Sequence, residues 1–308
     1  MNTDQLKAEI KRLKQEKNVL ILAHYYARPE VQDIADYIGD SLGLSRQAAH
    51  TDADIILFCG VHFMAETASI ISPNKKILSP TAYAGCSLAE GMTADDIRVW
   101  KKDHPQGIVV SYVNTTAEVK SETDYCCTSS NALKVVQSLP KDKPILFGPD
   151  RNLGAYISRV TGRDMDIWQG ACFVHDRIDE QSILQAVKDY PEADILIHPE
   201  SLGAHSEEVL SSGRCFMYST AGILDHARKS SKKQFVIATE PDTLHILRRE
   251  CPDKTFIALQ PESICHYMKQ GGLWEVKEAL EKEQYEVKVP ESLRARAYIP
   301  IERMLNIG

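Results

Sequence analysis

The chain reads as an α/β protein built from three similar α/β/α layers, related by pseudo-threefold symmetry around one central site. Three observations predict this. Short apolar runs at Val19–Ala23, Ile108–Val110 and Ile195–Ile197 each stop abruptly on polar residues, His24-Tyr25-Tyr26, Tyr112-Val113-Asn114 and His198-Pro199-Glu200. A run of this length bounded by polar residues reads as a strand buried on both faces, and ligands of open α/β sheets bind at the carboxyl ends of such strands. The elements after each run recur in the same order, and Cys86, Cys172 and Cys265 fall near the ends of the three copies, 86 and 93 residues apart. Internal copies at such a period imply repeated layered units.

Taken in order, Thr3 caps an amphipathic helix over residues 3–17, with Leu6, Ile10 and Leu13 at helical spacing. The first unit, 1–92, continues with a strand at 19–23 and a helix at 29–38. Gly39 ends that helix and Ser41 caps the next. Strands at 55–59 and 76–78 then lead to Cys86. The second unit, 93–178, gives a strand at 108–113, a segment 124–127 running into a helix at 132–139, and a strand at 145–147. The Asp150-Arg151-Asn152-Leu153-Gly154 stretch follows, and the unit closes around Cys172. The third, 179–288, gives a strand at 195–197, a segment 216–218 leading through Ser219 and Thr220 into a helix at 221–228, strands at 235–240 and 255–259, and Cys265. Residues 289–308 are expected to end in a short helix, 300–306, and to pack back on the first unit.

Composition narrows the function classes. With 36 basic against 43 acidic residues, a net charge of -7, there is no basic footprint for nucleic acid. Small anionic ligands remain compatible with a locally positive site. No apolar run approaches the ~20 residues of a membrane span and the N-terminal segment is not a signal peptide, so a cytosolic location is expected. Eight cysteines without a secretory signal are expected as thiols or metal ligands, not a disulfide framework. The absence of any C-x-x-C pair removes zinc ribbons, thioredoxin-like motifs and the ferredoxin run.

A lone cytosolic cysteine is usually a small buried hydrophobe. Recurrence at unit spacing points instead to three thiolates converging on an iron-sulfur cluster, leaving one iron of a [4Fe-4S] open to act as a Lewis acid on a substrate hydroxyl or carboxylate. Ser41, Ser129 and the Ser219-Thr220 pair each stand where a helix opens. They read singly as caps and together as anion sites beside the strand tips. His24, His198 and Glu200 suit either a zinc site or acid–base chemistry, with Glu200 as general base and the imidazoles and Tyr25 orienting substrate and relaying protons. Tyr112 and Asn114, two apart on one strand, share a side. Met64 reads as core or as pocket wall. Tyr26, His62, His175 and Glu240 occupy similar places with weaker claims, and no G-x-G-x-x-G or P-loop pattern supports a nucleotide.

The order of motifs resembles the quinolinate synthase family, the A-protein of de novo NAD biosynthesis. The resemblance rests on Ala23-His24-Tyr25-Tyr26, Gly39-Asp40-Ser41, Cys59 through Ala68, Ala84-Gly85-Cys86, Tyr112-Val113-Asn114, Cys127 through Ala132, Pro149 through Gly154, Trp168 through His175, His198-Pro199-Glu200, Ser219-Thr220 and Cys265 with Met268-Lys269. It implies a [4Fe-4S] cluster on Cys86, Cys172 and Cys265, and condensation of iminosuccinate with dihydroxyacetone phosphate to quinolinate, phosphate and water. It further implies substrate contacts from His24, Ser41, Tyr112, Asn114, Ser129, His198, Glu200 and Thr220. Val113, Pro199, Ser219 and Met64 are expected beside them, and Tyr25 and Glu200 in proton transfer. The implied partners are these small molecules and the enzyme supplying iminosuccinate. The stretch 201–218 is longer than the family's usual link, which leaves Ser219 and Thr220 as alternatives, and no second cysteine stands near Cys265. The competing readings are a cluster-dependent hydro-lyase for another hydroxy acid and a non-catalytic iron-sulfur sensor or electron carrier.

Overall fold

The structure, a computed structural model, describes residues 1–307. Twelve strands form three separate four-stranded sheets, every pairing parallel. The first contains β1 (Val19–His24), β2 (Tyr37–Gly39), β3 (Ile55–Cys59) and β4 (Lys76–Leu78). The second contains β5 (Ile108–Tyr112), β6 (Tyr125–Cys127), β7 (Ile145–Gly148) and β8 (Asp166–Ile167), and the third β9 (Asp194–Ile197), β10 (Cys215–Met217), β11 (Gln234–Ala238) and β12 (Thr255–Ala258). Each sheet has the same spatial order, second, first, third, fourth. Parallel strands covered by helices on both faces must be apolar throughout, and β3, β7 and β9 are buried at every position. The expected α/β class of three repeated layers is what forms.

The common order has a direct consequence for the site. In every sheet the first strand, a central one, ends in a polar tip, and the loop after the fourth strand carries Cys86, Cys172 or Cys265. Equivalent topology therefore delivers equivalent residues.

Several local expectations are corrected. Asn2, not Thr3, caps the first helix, its side chain accepting from the Gln5 amide while Gln5 returns the bond. The helix expected over 29–38 is only Pro29–Gln32, because Tyr37–Gly39 pairs with β1 as an edge strand. Three residues with an exposed tyrosine carry too little alternation to be seen in sequence. Asp40 is the cap of helix Ser41–Ala49, accepting from Gly43 at 2.9 Å, and Ser41 is its first residue.

The C-terminal helix runs from Glu291 to Ile307, through Pro300, and not from 300 to 306. Proline cannot donate to the preceding turn, yet Ala297, Pro300, Ile301 and Met304 form a continuous buried stripe that holds the helix against its neighbours. It lies on helix Ala117–Ser121 and β6 of the second unit as well as on helix His62–Ile71 of the first, and the Asn131 amide donates to the Met304 carbonyl at 3.0 Å. The chain also crosses back once more: helix Leu273–Lys282, which follows Cys265, packs on helix Thr3–Glu16 and β3 of the first unit.

Ile301, fully buried, fastens the C-terminal helix to the rest. Ile301→Ala is expected to lower stability by about 3 kcal/mol in chemical denaturation, whereas substitution of exposed Glu302 leaves the midpoint unchanged; equal effects would show that the stripe does not carry the helix.

Candidate active site

One cavity lies where the carboxyl ends of the three sheets meet. Its wall includes His24 and Tyr26 from the β1 tip, Tyr112 and Asn114 from the β5 tip, His198 and Glu200 from the β9 tip, and Cys86, Cys172 and Cys265. The pairs stand where each strand gives way to a turn, β1 ending at His24, β5 at Tyr112 and β9 at Ile197, and the members of a pair are two apart: His24 with Tyr26, Tyr112 with Asn114, and His198 with Glu200. The intervening Tyr25, Val113 and Pro199 do not line the cavity. Tyr25 instead has Asp40, Tyr37 and Arg228 as its charged and polar neighbours. Val113 is core, with its carbonyl accepting from the buried Lys120 ammonium at 2.9 Å, and Pro199 lines a neighbouring outer cavity. The place expected for Tyr25 belongs to Tyr26.

The hydroxyl residues follow a similar shift. Asp40 and Ser219 are the caps, which leaves Ser41 and Thr220, the residues after them, facing the cavity. Ser129 also lines it, 3.2 Å from the His198 Nε2, in the turn before helix Ala132–Ser138 and not as its cap. Met64 is part of the wall. Ser219 is turned outward with its hydroxyl 2.8 Å from that of Ser130, which donates to Asp40 at 2.7 Å, tying the three units beside the cavity. The Asn114 Oδ1 is buried without a partner among the described residues, an acceptor left for a bound molecule.

Glu200 is the electrostatic centre. Its two oxygens are both engaged, one by the Tyr112 hydroxyl and the other by His175 Nδ1 at 2.9 Å. Burial works against its charge, but His198, His175 and the hydrogen bonds outweigh it and hold the carboxyl below its ordinary range. His175 stacks on His198 with ring centroids 4.5 Å apart and lies 3.3 Å from Cys172 Sγ. Of the weaker candidates, Tyr26 and His175 are therefore central, while His62 and Glu240 do not line the cavity. Cys172, His175 and Glu200 place ligand atoms within 4.8 Å of one another. The zinc alternative would have required His24, His198 and Glu200 to do so, and they do not form such a group among the described residues.

The three cysteines sit in one repeated local structure. Each sulfur accepts a backbone N–H three residues on, from Ala89, His175 and Met268 respectively. Burial pushes all three thiols up, Cys86 to about 12 and Cys265 to about 11, and Cys172 well above its ordinary value. The negative charge of Cys265 adds to this for both Cys86 and Cys172. Such a set is unfavourable as bare thiolates, and a bound cation inverts that balance. Two buried carboxylates hold the loops: Asp150 at the β7 tip accepts from the Cys172 amide at 3.2 Å, and Glu240 at the β11 tip accepts from the Cys265 amide at 3.4 Å. The Lys269 ammonium reaches Glu240 at 2.7 Å, Asp242 at 2.6 Å and the Tyr26 carbonyl, so the Cys265 loop is tied to the β1 tip.

His24 and His198 are both pushed down to about 3, chiefly by burial, so they face the cavity as neutral rings. A histidine depressed in the folded state costs nothing above its unfolded pKa near 6.5 and increasingly destabilises as pH falls from there toward 3. At pH 5 the loss is about 2 kcal/mol for each ring. The urea midpoint is expected to fall between pH 7 and pH 5, and His24→Asn to make that fall shallower; a flat profile would show the rings to be protonated without penalty.

Residues 8–306 match the family described as NadA, Quinolinate synthetase A protein. The chain is 46% identical over 308 residues to the quinolinate synthase of Thermus thermophilus, covering 100% of this chain and 99% of that one. It is 48% identical over 307 residues to that of Pyrobaculum aerophilum, covering 98% and 100%, and 46% identical over 301 residues to that of a Cyanothece strain, covering 96% and 92%. Among the described residues no helix is long and apolar enough to cross a membrane. A match along nearly the whole chain, with relatives covered over at least nine-tenths of their own length at this identity, makes the chain a member of the quinolinate synthetase A protein family.

Proposed function

We propose that the chain is a quinolinate synthase of NAD biosynthesis, condensing iminosuccinate with dihydroxyacetone phosphate to quinolinate, phosphate and two waters, with a [4Fe-4S] cluster on Cys86, Cys172 and Cys265. The observation that carries this reading is the cavity itself, which collects one cysteine from each unit opposite histidine, tyrosine and asparagine tips. The relatives carry the same activity in their names. The cysteines fit the cluster: three sulfurs, each with a backbone N–H donor, are raised by burial in a way that a cationic cluster relieves. When bound, the cluster supplies an electrophilic iron with an open position for a substrate oxygen.

The remaining work falls to side chains. Neutral His24 and His198, the Asn114 amide and the hydroxyls of Ser41, Ser129 and Thr220 offer hydrogen bonds to carboxylate, phosphate and carbonyl oxygens without placing a fixed cation in the site. They hold the enamine carbon of iminosuccinate against the triose carbon from which phosphate departs, an arrangement in which orientation alone is worth several kcal/mol. Closing the ring and losing water then requires protons to leave carbon and reach oxygen. Glu200 is the acceptor that its donors keep ionised in spite of burial. Because Tyr112 and His175 occupy both of its oxygens, it exchanges protons with substrate through them. Tyr26 takes the proton-transfer role expected of Tyr25, since its hydroxyl and not that of Tyr25 reaches this network.

Protein purified without oxygen is expected to contain about four irons per chain, with an electron paramagnetic resonance signal that quinolinate perturbs. Absence of iron after anaerobic reconstitution would end the cluster assignment, and a cluster indifferent to quinolinate would favour an electron carrier. Tyr26→Phe and Glu200→Gln are each expected to lower kcat by about 10²-fold or more with iron content retained, while Tyr25→Phe stays within a few-fold of the parent. A larger loss from Tyr25→Phe than from Tyr26→Phe would reverse the assignment of the two tyrosines.

A further inference from the structure

Among the described residues Lys120 is the only lysine or arginine buried completely out of water. A buried ammonium costs several kcal/mol unless its hydrogens are taken up, and nothing in the chemistry above employs it. It stands on helix Ala117–Ser121, which follows the tip of β5, and its side chain folds back over that tip. Its Nζ donates to the Val113 carbonyl at 2.9 Å and to the Thr115 carbonyl. These are the carbonyls of the two residues that flank Asn114.

Asn114 needs support that its strand does not give. Tyr112, the last residue of β5, is set by its pairing with Cys127 of β6, whereas Asn114 lies beyond the last pairing. There the Thr115 amide donates to the Val113 carbonyl at 2.8 Å, a bond that closes a three-residue turn with Asn114 at its apex. The Val113 carbonyl thus accepts twice, from the Thr115 amide and from Lys120, as many bonds as its oxygen has lone pairs. The Asn114 Oδ1 is buried with no partner of its own. The turn therefore aims this amide, and Lys120 holds the turn on both sides of it.

We propose that Lys120 is a positioning residue for substrate binding, its ammonium clamping the turn Val113-Asn114-Thr115 so that the Asn114 amide faces the bound substrate. This rests on the quinolinate synthase reading above, in which Asn114 contacts substrate. Lys120 does not line the cavity and acts on substrate only through Asn114. A charged donor makes each carbonyl bond about twice as strong as a neutral one would, which suits a turn that has no sheet behind it.

The first unit braces the clamp from outside. The Lys120 ammonium lies 5.5 Å from the centroid of the Phe63 ring, within the reach of a cation–π contact, and Phe63 is itself part of the cavity wall. Glu66, one turn further along the same helix, accepts from the Ala117 amide at 3.2 Å. Its carboxylate and the Lys120 ammonium favour each other's charge across the boundary between the units. Helix Ala117–Ser121 is thus gripped at both of its ends.

The test is a double-mutant cycle of Lys120→Met and Asn114→Ala on cluster-loaded protein, read as kcat/KM and as the quinolinate dissociation constant from calorimetry. Methionine keeps the length of the side chain and removes the donor. With Asn114 in place, Lys120→Met is expected to lower kcat/KM and to weaken quinolinate binding by about 10-fold or more, with iron content and the ligand-free electron paramagnetic resonance signal unchanged. In the Asn114→Ala background the same substitution is expected to change either quantity by less than about 2-fold, because residues that act through one another are not additive. Equal losses in the two backgrounds, no loss in either, or loss of iron with Lys120→Met overturns the proposal. Should the methionine variant fail to fold, Lys120→Gln, shorter and uncharged, is read in the same way. Wild-type protein that neither forms nor binds quinolinate would overturn the functional reading and the clamp with it, whereas active wild type with an additive cycle would overturn the clamp alone.

Discussion

The buried charge of Glu200 is the constraint around which the rest is arranged. A carboxylate taken out of water costs several kcal/mol unless its oxygens are paired, and neither partner of Glu200 comes from its own unit: Tyr112 ends β5 and His175 follows the Cys172 loop. The third sheet therefore cannot bury its own tip without the second. The second unit is fixed in turn by Asn152, whose amide donates to the Glu200 carbonyl at 2.9 Å and to Asp176 at 2.9 Å. The first unit joins through Tyr26 and through Lys269, which reaches across to the β1 tip. A stable interior and an assembled site are thus one condition.

The same constraint explains which parts of the molecule were legible in sequence. Central strands buried on both faces announce themselves as apolar runs, so β1, β3, β5, β7, β9 and β11 are visible, and their tips with them. Edge strands divide: β4 and β12 are apolar enough to be read as strands, whereas Tyr37–Gly39 owes its conformation to pairing with β1, a long-range contact with no local signature. Caps were displaced by one residue at Ser41 and at the first helix because several polar residues stood together and only backbone geometry chooses among them. The C-terminal helix was cut short at Pro300, where tertiary burial of Ala297, Ile301 and Met304 overrides the local preference of proline.

The site itself was more legible than its details. A spacing of two already pairs Tyr112 with Asn114, and the same spacing at the β1 tip pairs His24 with Tyr26 and sets Tyr25 aside, although a turn and not the strand carries Tyr26. Asp150 stands outside the cavity and acts through the Cys172 amide, and Asp40 is both a helix cap and part of the cavity wall; neither residue type nor spacing singles them out. His175 shows the intermediate case. It lies three residues after Cys172, in the position of the amide that each cysteine turn uses, and its ring then becomes the link between the cysteine side of the cavity and Glu200.

Repetition followed by divergence accounts for this division of labour. The three units share strand order and the cysteine turn, so the three sulfurs arrive in equivalent surroundings, with Asp150 and Glu240 serving the same purpose at the tips of β7 and β11. The first unit has no such carboxylate at its β3 tip; there the His62 amide donates to the Ala84 carbonyl at 2.7 Å, a backbone bond in the place of the carboxylate. What differs among the units is the pair of tip residues, His and Tyr, Tyr and Asn, His and Glu. One copy supplies the only carboxylate of those six, and the second unit supplies the Tyr112 hydroxyl that bonds it. Threefold equivalence suits a group bound by three like ligands, whereas proton transfer needs a direction, and the tips provide one by breaking the equivalence at Glu200.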